Sequence, residues 1–139
     1  MLSNKVINFC KNNGWWFNDV SEEYSNVLLD LNISLETDFS QFYLHAEDGP
    51  TFYSRGYELY QICWFSINSH YDLDIKRTHE ILKMPKQYIP LDSFEGEEGF
   101  FYNIKTGEII SFKLGEELSN LQPQWNNFNE FLEWYFELN

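Results

Sequence analysis

The spacing of apolar residues changes twice along this 139-residue chain, and that double change constrains the fold more than any other feature. Up to Pro50 the apolar residues recur at helical intervals. Between Tyr88 and Leu114 they run in strand-like blocks, and after Asn127 the helical interval returns. Such a pattern predicts an α+β fold, with N-terminal helices and a C-terminal helix packed on a mainly antiparallel sheet. The length predicts one domain over 1–139, since single cores are commonly built from roughly 100–150 residues.

Val6, Ile7, Phe9 and Cys10 form a short apolar stripe, predicting a first helix over 4–12 that ends near Asn13-Gly14. Asp19-x-x-Glu22 has the spacing of a capping box, and Val20, Tyr24, Val27, Leu28 and Leu31 follow at helical spacing, predicting a second helix over about 20–31. Ser34 or Thr37 caps a third, in which Phe39, Phe42, Tyr43 and Ala46 share a face until Glu47-Asp48-Gly49-Pro50 breaks the pattern. Residues 57–67 are mostly aromatic or β-branched and apolar on both alternating sets, which predicts a buried strand, although a short apolar run of this kind also fits a helix.

Residues 68–83 carry the weakest pattern, helical from Asp74 to Leu82, and with Lys76, Arg77, Lys83 and Lys86 this stretch is the basic region of the chain. Strand patterns follow over 88–91, 99–104 and 108–114. The last two are joined by Lys105-Thr106-Gly107, a hairpin with glycine where positive φ is wanted. Asn127-x-x-Glu130 supplies a cap and its reciprocal partner for a closing helix with Phe128, Phe131, Leu132, Tyr135 and Leu138 on its apolar face.

Charge narrows the function. With 22 acids against 9 Lys plus Arg the formal net charge is -13. Such a surface repels nucleic-acid phosphates and anionic lipid and steers basic partners inward, so neither nucleic acid nor membrane is expected as a partner. Cys10 and Cys63 have no spacing that implies a disulfide framework, a redox motif or a zinc site, which fits a reducing cytoplasm. No apolar run approaches a membrane span or a secretory leader.

Catalytic signals are weak. His45, His70 and His79 sit in no recognised arrangement; His70-Tyr71-Asp72-Leu73-Asp74 could in principle gather a metal, but without His-x-x-x-His, cysteine pairs or a glycine-rich calcium loop the signal is weak, and a structural role is the expectation. No nucleophile elbow or phosphate-cradling glycine motif is present. Glu95-Gly96-Glu97-Glu98-Gly99 gathers three carboxylates that paired acid-base chemistry can use, but adjacent glutamates on a glycine-rich turn are ordinarily a solvated loop. A contact surface is the better use. Asp92, Glu95, Glu97, Glu98, Glu108, Glu116 and Glu117 are the candidates for meeting a basic partner, with Trp125, in a loop containing Pro123, as the aromatic anchor. Trp15, Trp16 and Phe17 are further aromatic candidates, and Tyr53, Tyr57 and Tyr71 weaker ones.

Three segments carry a family resemblance. Leu35-Glu36-Thr37-Asp38-Phe39-Ser40-Gln41-Phe42-Tyr43 leads into the turn at Asp48-Gly49. Glu95-Gly96-Glu97-Glu98-Gly99-Phe100-Phe101-Tyr102-Asn103-Ile104 is an acidic, glycine-rich turn entering a strand. Trp125-Asn126-Asn127-Phe128-Asn129-Glu130-Phe131-Leu132 opens a closing helix. In this order they resemble the SUKH superfamily, over about residues 20–138. The resemblance implies a non-enzymatic immunity protein, without cofactor, that binds a cognate toxin's basic catalytic domain one-to-one, itself a monomer or weak dimer. Many such toxins are nucleases, whose phosphate-binding surface an acidic protein can occupy. A regulatory scaffold, like the superfamily's fungal members, is the alternative.

Overall fold

Polar side chains decide where most of the helices start in the computed structural model, which describes residues 1–138. Helix α1 (Asn4–Asn12) is capped by Ser3, α2 (Glu22–Asp30) by Ser21, α3 (Asp38–His45) by Thr37, α4 (Ile62–Asn68) by Gln61 and α6 (Phe128–Tyr135) by Asn127. Each cap oxygen accepts an otherwise unpaired first-turn amide. Helix α5 (Tyr71–Lys76) lacks a side-chain cap and continues into a π-helical turn, Arg77–Ile81.

Two antiparallel sheets complete the α+β architecture: a hairpin of β1 (Thr51–Ser54) and β2 (Tyr57–Tyr60), and a three-stranded sheet ordered β3-β4-β5 from β3 (Tyr88–Pro90), β4 (Glu98–Asn103) and β5 (Ile109–Lys113). They are joined through Leu91, whose carbonyl accepts the Tyr60 amide at 2.9 Å while its own amide donates to the Phe100 carbonyl at 2.9 Å. Gly107 closes the β4–β5 hairpin at φ 81°.

The structure corrects three expectations. The 57–67 strand is two elements, because the chain leaves the β1–β2 hairpin at Gln61 and turns at once into α4. Gln61 is wholly buried; its Oε1 accepts the amides of Cys63 (2.9 Å) and Trp64 (3.3 Å), which starts a helix in a segment of high strand propensity. The cap of α2 is Ser21 rather than Asp19. Its hydroxyl accepts the Tyr24 amide at 3.3 Å and places Glu22 and Glu23 at the positive end of the helix dipole. Strand β1 has no counterpart among the elements that the apolar pattern predicts. It exists because Arg55 (φ 55°) and Gly56 (φ 79°) both take the left-handed turn that a two-residue hairpin needs, and because it pairs along its length with β2.

The three-stranded sheet is buried on both faces. Phe100 and Tyr102 of β4 meet the rings of α3 and α6: Tyr102 stacks on Phe39 at 4.0 Å, and Phe100 lies 5.1 Å from Phe131. Phe101, Ile110 and Phe112 face the other way, into a second cluster with Leu82, Met84 and Phe94. The candidate site lies at the end of this sheet where Glu98 and Lys113 emerge from the core. Cys10 and Cys63 are buried free thiols, both pushed up to about 12 by burial.

Candidate partner-binding site

The acidic turn is built from below by Asp92. Only 7% exposed, Asp92 accepts the Phe94 amide on Oδ1 (3.1 Å) and the Phe100 amide on Oδ2 (3.2 Å), bridging the start and the end of the turn. Residue 99 must be glycine for this. A Cβ there would meet Oδ1 far inside van der Waals contact and Cγ at 3.1 Å. Phe94, held at φ 60°, drops its ring into the second core, where the Arg77 guanidinium lies 5.6 Å above it and donates from Nη1 to the Ser93 carbonyl at 3.1 Å. Pinned at Asp92, Ser93 and Phe94, the turn projects Glu95, Glu97 and Glu98 into solvent.

Asp92 therefore supports the acidic surface instead of belonging to it, a correction that follows from its burial. Glu108 is also separated from the group. It sits at the far end of the β4–β5 hairpin, about 16 Å along the strand from Glu98. Glu116 does join Glu98, because Lys113 at the end of β5 pairs with Glu98 in register and donates its amide to Glu116 Oε1 at 2.6 Å; Glu117 is exposed and follows it in the chain, outside the residues that line the cleft with Glu98.

Burial pushes the Asp92 carboxyl up to about 7, against the pull of the two amide donors and of Arg77. An acid whose folded value is raised binds its proton more tightly when folded. Its contribution to stability is therefore full at low pH and is lost as pH rises from about 4 to about 7. Asp92→Asn carries no such proton. Urea unfolding between about pH 4 and 8 should lose stability more steeply in the native protein than in the variant, by up to about 1.4 kcal/mol per pH unit, and parallel curves would contradict the raised value.

Beside the acidic turn a cleft of about 450 Å³ opens between the β4–β5 end and α6. Trp125 forms one wall. Its carbonyl accepts the Ile109 amide at 3.0 Å, extending the β5 edge by one bridge, and its ring lies 4.9 Å from Trp134 and 5.8 Å from Phe100. Tyr57, Phe100, Phe112 and Trp134 are the other aromatic residues of the lining, which also includes Glu98 and Glu116. Trp134 is not singled out by sequence, since on the helical repeat it reads as a flank of the apolar stripe of α6.

Residues 21–134 match the model of the SMI1 / KNR4 family (SUKH-1). The chain belongs to this family. No curated protein matches it. SUKH proteins are generally non-catalytic immunity or regulatory proteins, and membership fits binding to another protein.

Most of the other candidate groups of this SUKH chain are engaged structurally. His45 stacks on Trp16 at 4.9 Å with Nδ1 2.7 Å from the Phe17 carbonyl, and His79 Nε2 lies 2.7 Å from the Tyr88 carbonyl. His70 Nδ1 is 3.5 Å from Asp74 Oδ2, while Asp72 is exposed and apart. Tyr71 is buried and donates to the Pro90 carbonyl at 2.7 Å. Trp15 packs on Phe9 and Phe52, whereas Phe17 and Tyr53 are exposed. Among the described residues no cluster of His, Cys, Asp and Glu is arranged to hold a metal ion, and no helix is long and apolar enough to cross a membrane.

Proposed function

We propose that this chain is an immunity protein that binds the basic catalytic domain of a cognate bacterial toxin, one-to-one in the cytoplasm, and neutralises it by covering its active site. The observation that carries this reading is the pinned turn. A family of binding proteins, a net charge of -13 and three glutamates held outward on a rigid loop together make a preorganised surface for a polyanion-binding enzyme. A nuclease fits best, because its phosphate sites are the complement of such carboxylates. The domains of contact-dependent and other polymorphic toxins are the class to test. Glu116 and Glu117 extend the contact from the β5 side.

Co-expression with the toxin domain encoded beside the gene tests it: growth rescue and a co-purifying one-to-one complex are expected, and neither would appear if the chain were a regulatory scaffold. In the complex, Glu95→Gln/Glu97→Gln/Glu98→Gln should slow association about tenfold or more at low salt, with the difference closing at high salt. Equal association rates at low salt would remove the electrostatic part of the mechanism.

The regulatory reading rests on the same family, which includes regulatory members. A gene with no toxin neighbour favours it.

A further inference from the structure

We infer that the cleft between the β4–β5 end and α6 is a receptor for one arginine side chain of the partner. The inference deepens the binding-protein reading, and rests on it, by naming the chemistry that the partner must present.

Two half-buried indoles, Trp125 and Trp134, stand 4.9 Å apart and tilted by 44°, with Phe100 in a T-shaped contact with each and Tyr57 5.0 Å from Phe100. Rings in this number attract a cation to their faces. The Trp134 ring already holds one such cation, Arg55, which is not among the residues lining the cleft: its guanidinium lies 4.6 Å from the ring centroid, and its Nε donates to the Trp134 carbonyl at 2.6 Å.

Carboxylates set the sign. Glu98 and Glu116 line the cleft, and Glu116 spends only Oε1 on the Lys113 amide. Glu98 and Tyr57 also line a smaller adjoining cleft, of about 170 Å³, with Glu58 and Glu95, so the acidic surface continues past the mouth. Lys113 also lines the main cleft, yet among the described residues it forms no ion pair with Glu98 or Glu116.

Arginine is favoured over lysine because a planar guanidinium stacks on indole and meets a carboxylate through two parallel hydrogen bonds, whereas an ammonium is a compact, strongly hydrated charge. The β5 edge receives the flanking chain. The Asn103 amide donates to Glu108 and the Leu114 amide to Glu97, so on β5 the residues that bond to β4 are Ile110 and Phe112. Ser111 between them turns its backbone amide and carbonyl away from β4, at the wall of the cleft.

The test needs no toxin. The full chain is titrated with Nα-acetyl-arginine amide and, separately, with its citrulline and lysine counterparts, following the indole N–H signals of Trp125 and Trp134 by NMR. Saturable shifts with the arginine amide are expected, weaker by about fivefold or more with citrulline and reduced as much in Glu98→Gln/Glu116→Gln. Each of these substitutions keeps a side-chain oxygen, which at position 116 still accepts the Lys113 amide, so that variant keeps the fold, and its amide spectrum verifies this. Equal binding of citrulline, or indole signals that do not move, overturns the receptor. A failed rescue by the toxin pair would instead overturn the immunity reading and leave this titration standing.

Discussion

Gln61→Leu is expected to lower the unfolding free energy by about 3–5 kcal/mol, read as a shift of the urea midpoint at unchanged slope. The side chain is wholly buried and uses both ends: Nε2 donates to the carbonyls of Tyr43 (3.0 Å) and Ala46 (2.9 Å) at the end of α3, while Oε1 accepts the amides of Cys63 and Trp64 at the start of α4. Leucine fills a similar volume and supplies none of these bonds. Four backbone groups then lose their partner in a region closed to water, and each such loss costs about 1–3 kcal/mol, tempered where a neighbouring group or a small shift restores one. The Gln61 amide itself still donates to the Pro50 carbonyl at 2.8 Å, so the hairpin survives and the loss falls on the α3–α4 junction. A midpoint within experimental error of the native one would show that the junction is held by packing alone.

Gly99→Ala is the second large effect, about 2–4 kcal/mol of stability, because the added methyl takes the space of the Asp92 carboxylate. Asp92 has nowhere to go without giving up the amides of Phe94 and Phe100, and those two bonds fix the acidic turn. The consequence reaches function. With the anchor displaced, Glu95, Glu97 and Glu98 no longer sit on a preorganised loop, and partner affinity should fall further than the urea midpoint alone implies. Hydrogen exchange checks this directly: the Phe94 and Phe100 amides should exchange faster in the variant, while those of α6 remain protected in the absence of denaturant. Unchanged exchange at 94 and 100 would show that the turn holds without its carboxylate.

Helices α3 and α6 were legible because each carries a local cap followed by rings or aliphatic side chains at helical spacing, and α1 because an apolar stripe runs up to an Asn13-Gly14 stop; none of these signals depends on distant residues. The β4–β5 hairpin was legible for the same reason, through Gly107 and two apolar blocks. The 57–67 segment misleads because its composition suits a strand throughout, and the stop comes from a glutamine whose partners, Tyr43 and Ala46, lie 18 and 15 residues back. Asp92 misleads for a comparable reason. An aspartate beside a run of glutamates reads as one more surface charge, and only its burial under the turn, with the Phe94 and Phe100 amides on its oxygens and Gly99 closed against it, reveals that it faces inward.

Local pattern thus determined the fold class, the helices at either end, the acid excess and the outward glutamates, since each follows from periodicity, capping or composition within a few residues. Tertiary structure alone decided where β2 gives way to α4, which acids share a surface, and that Trp125 meets Trp134 beside Glu98 and Glu116. Those outcomes depend on buried hydrogen bonds and ring contacts between segments far apart in the chain, whose energies no local pattern encodes.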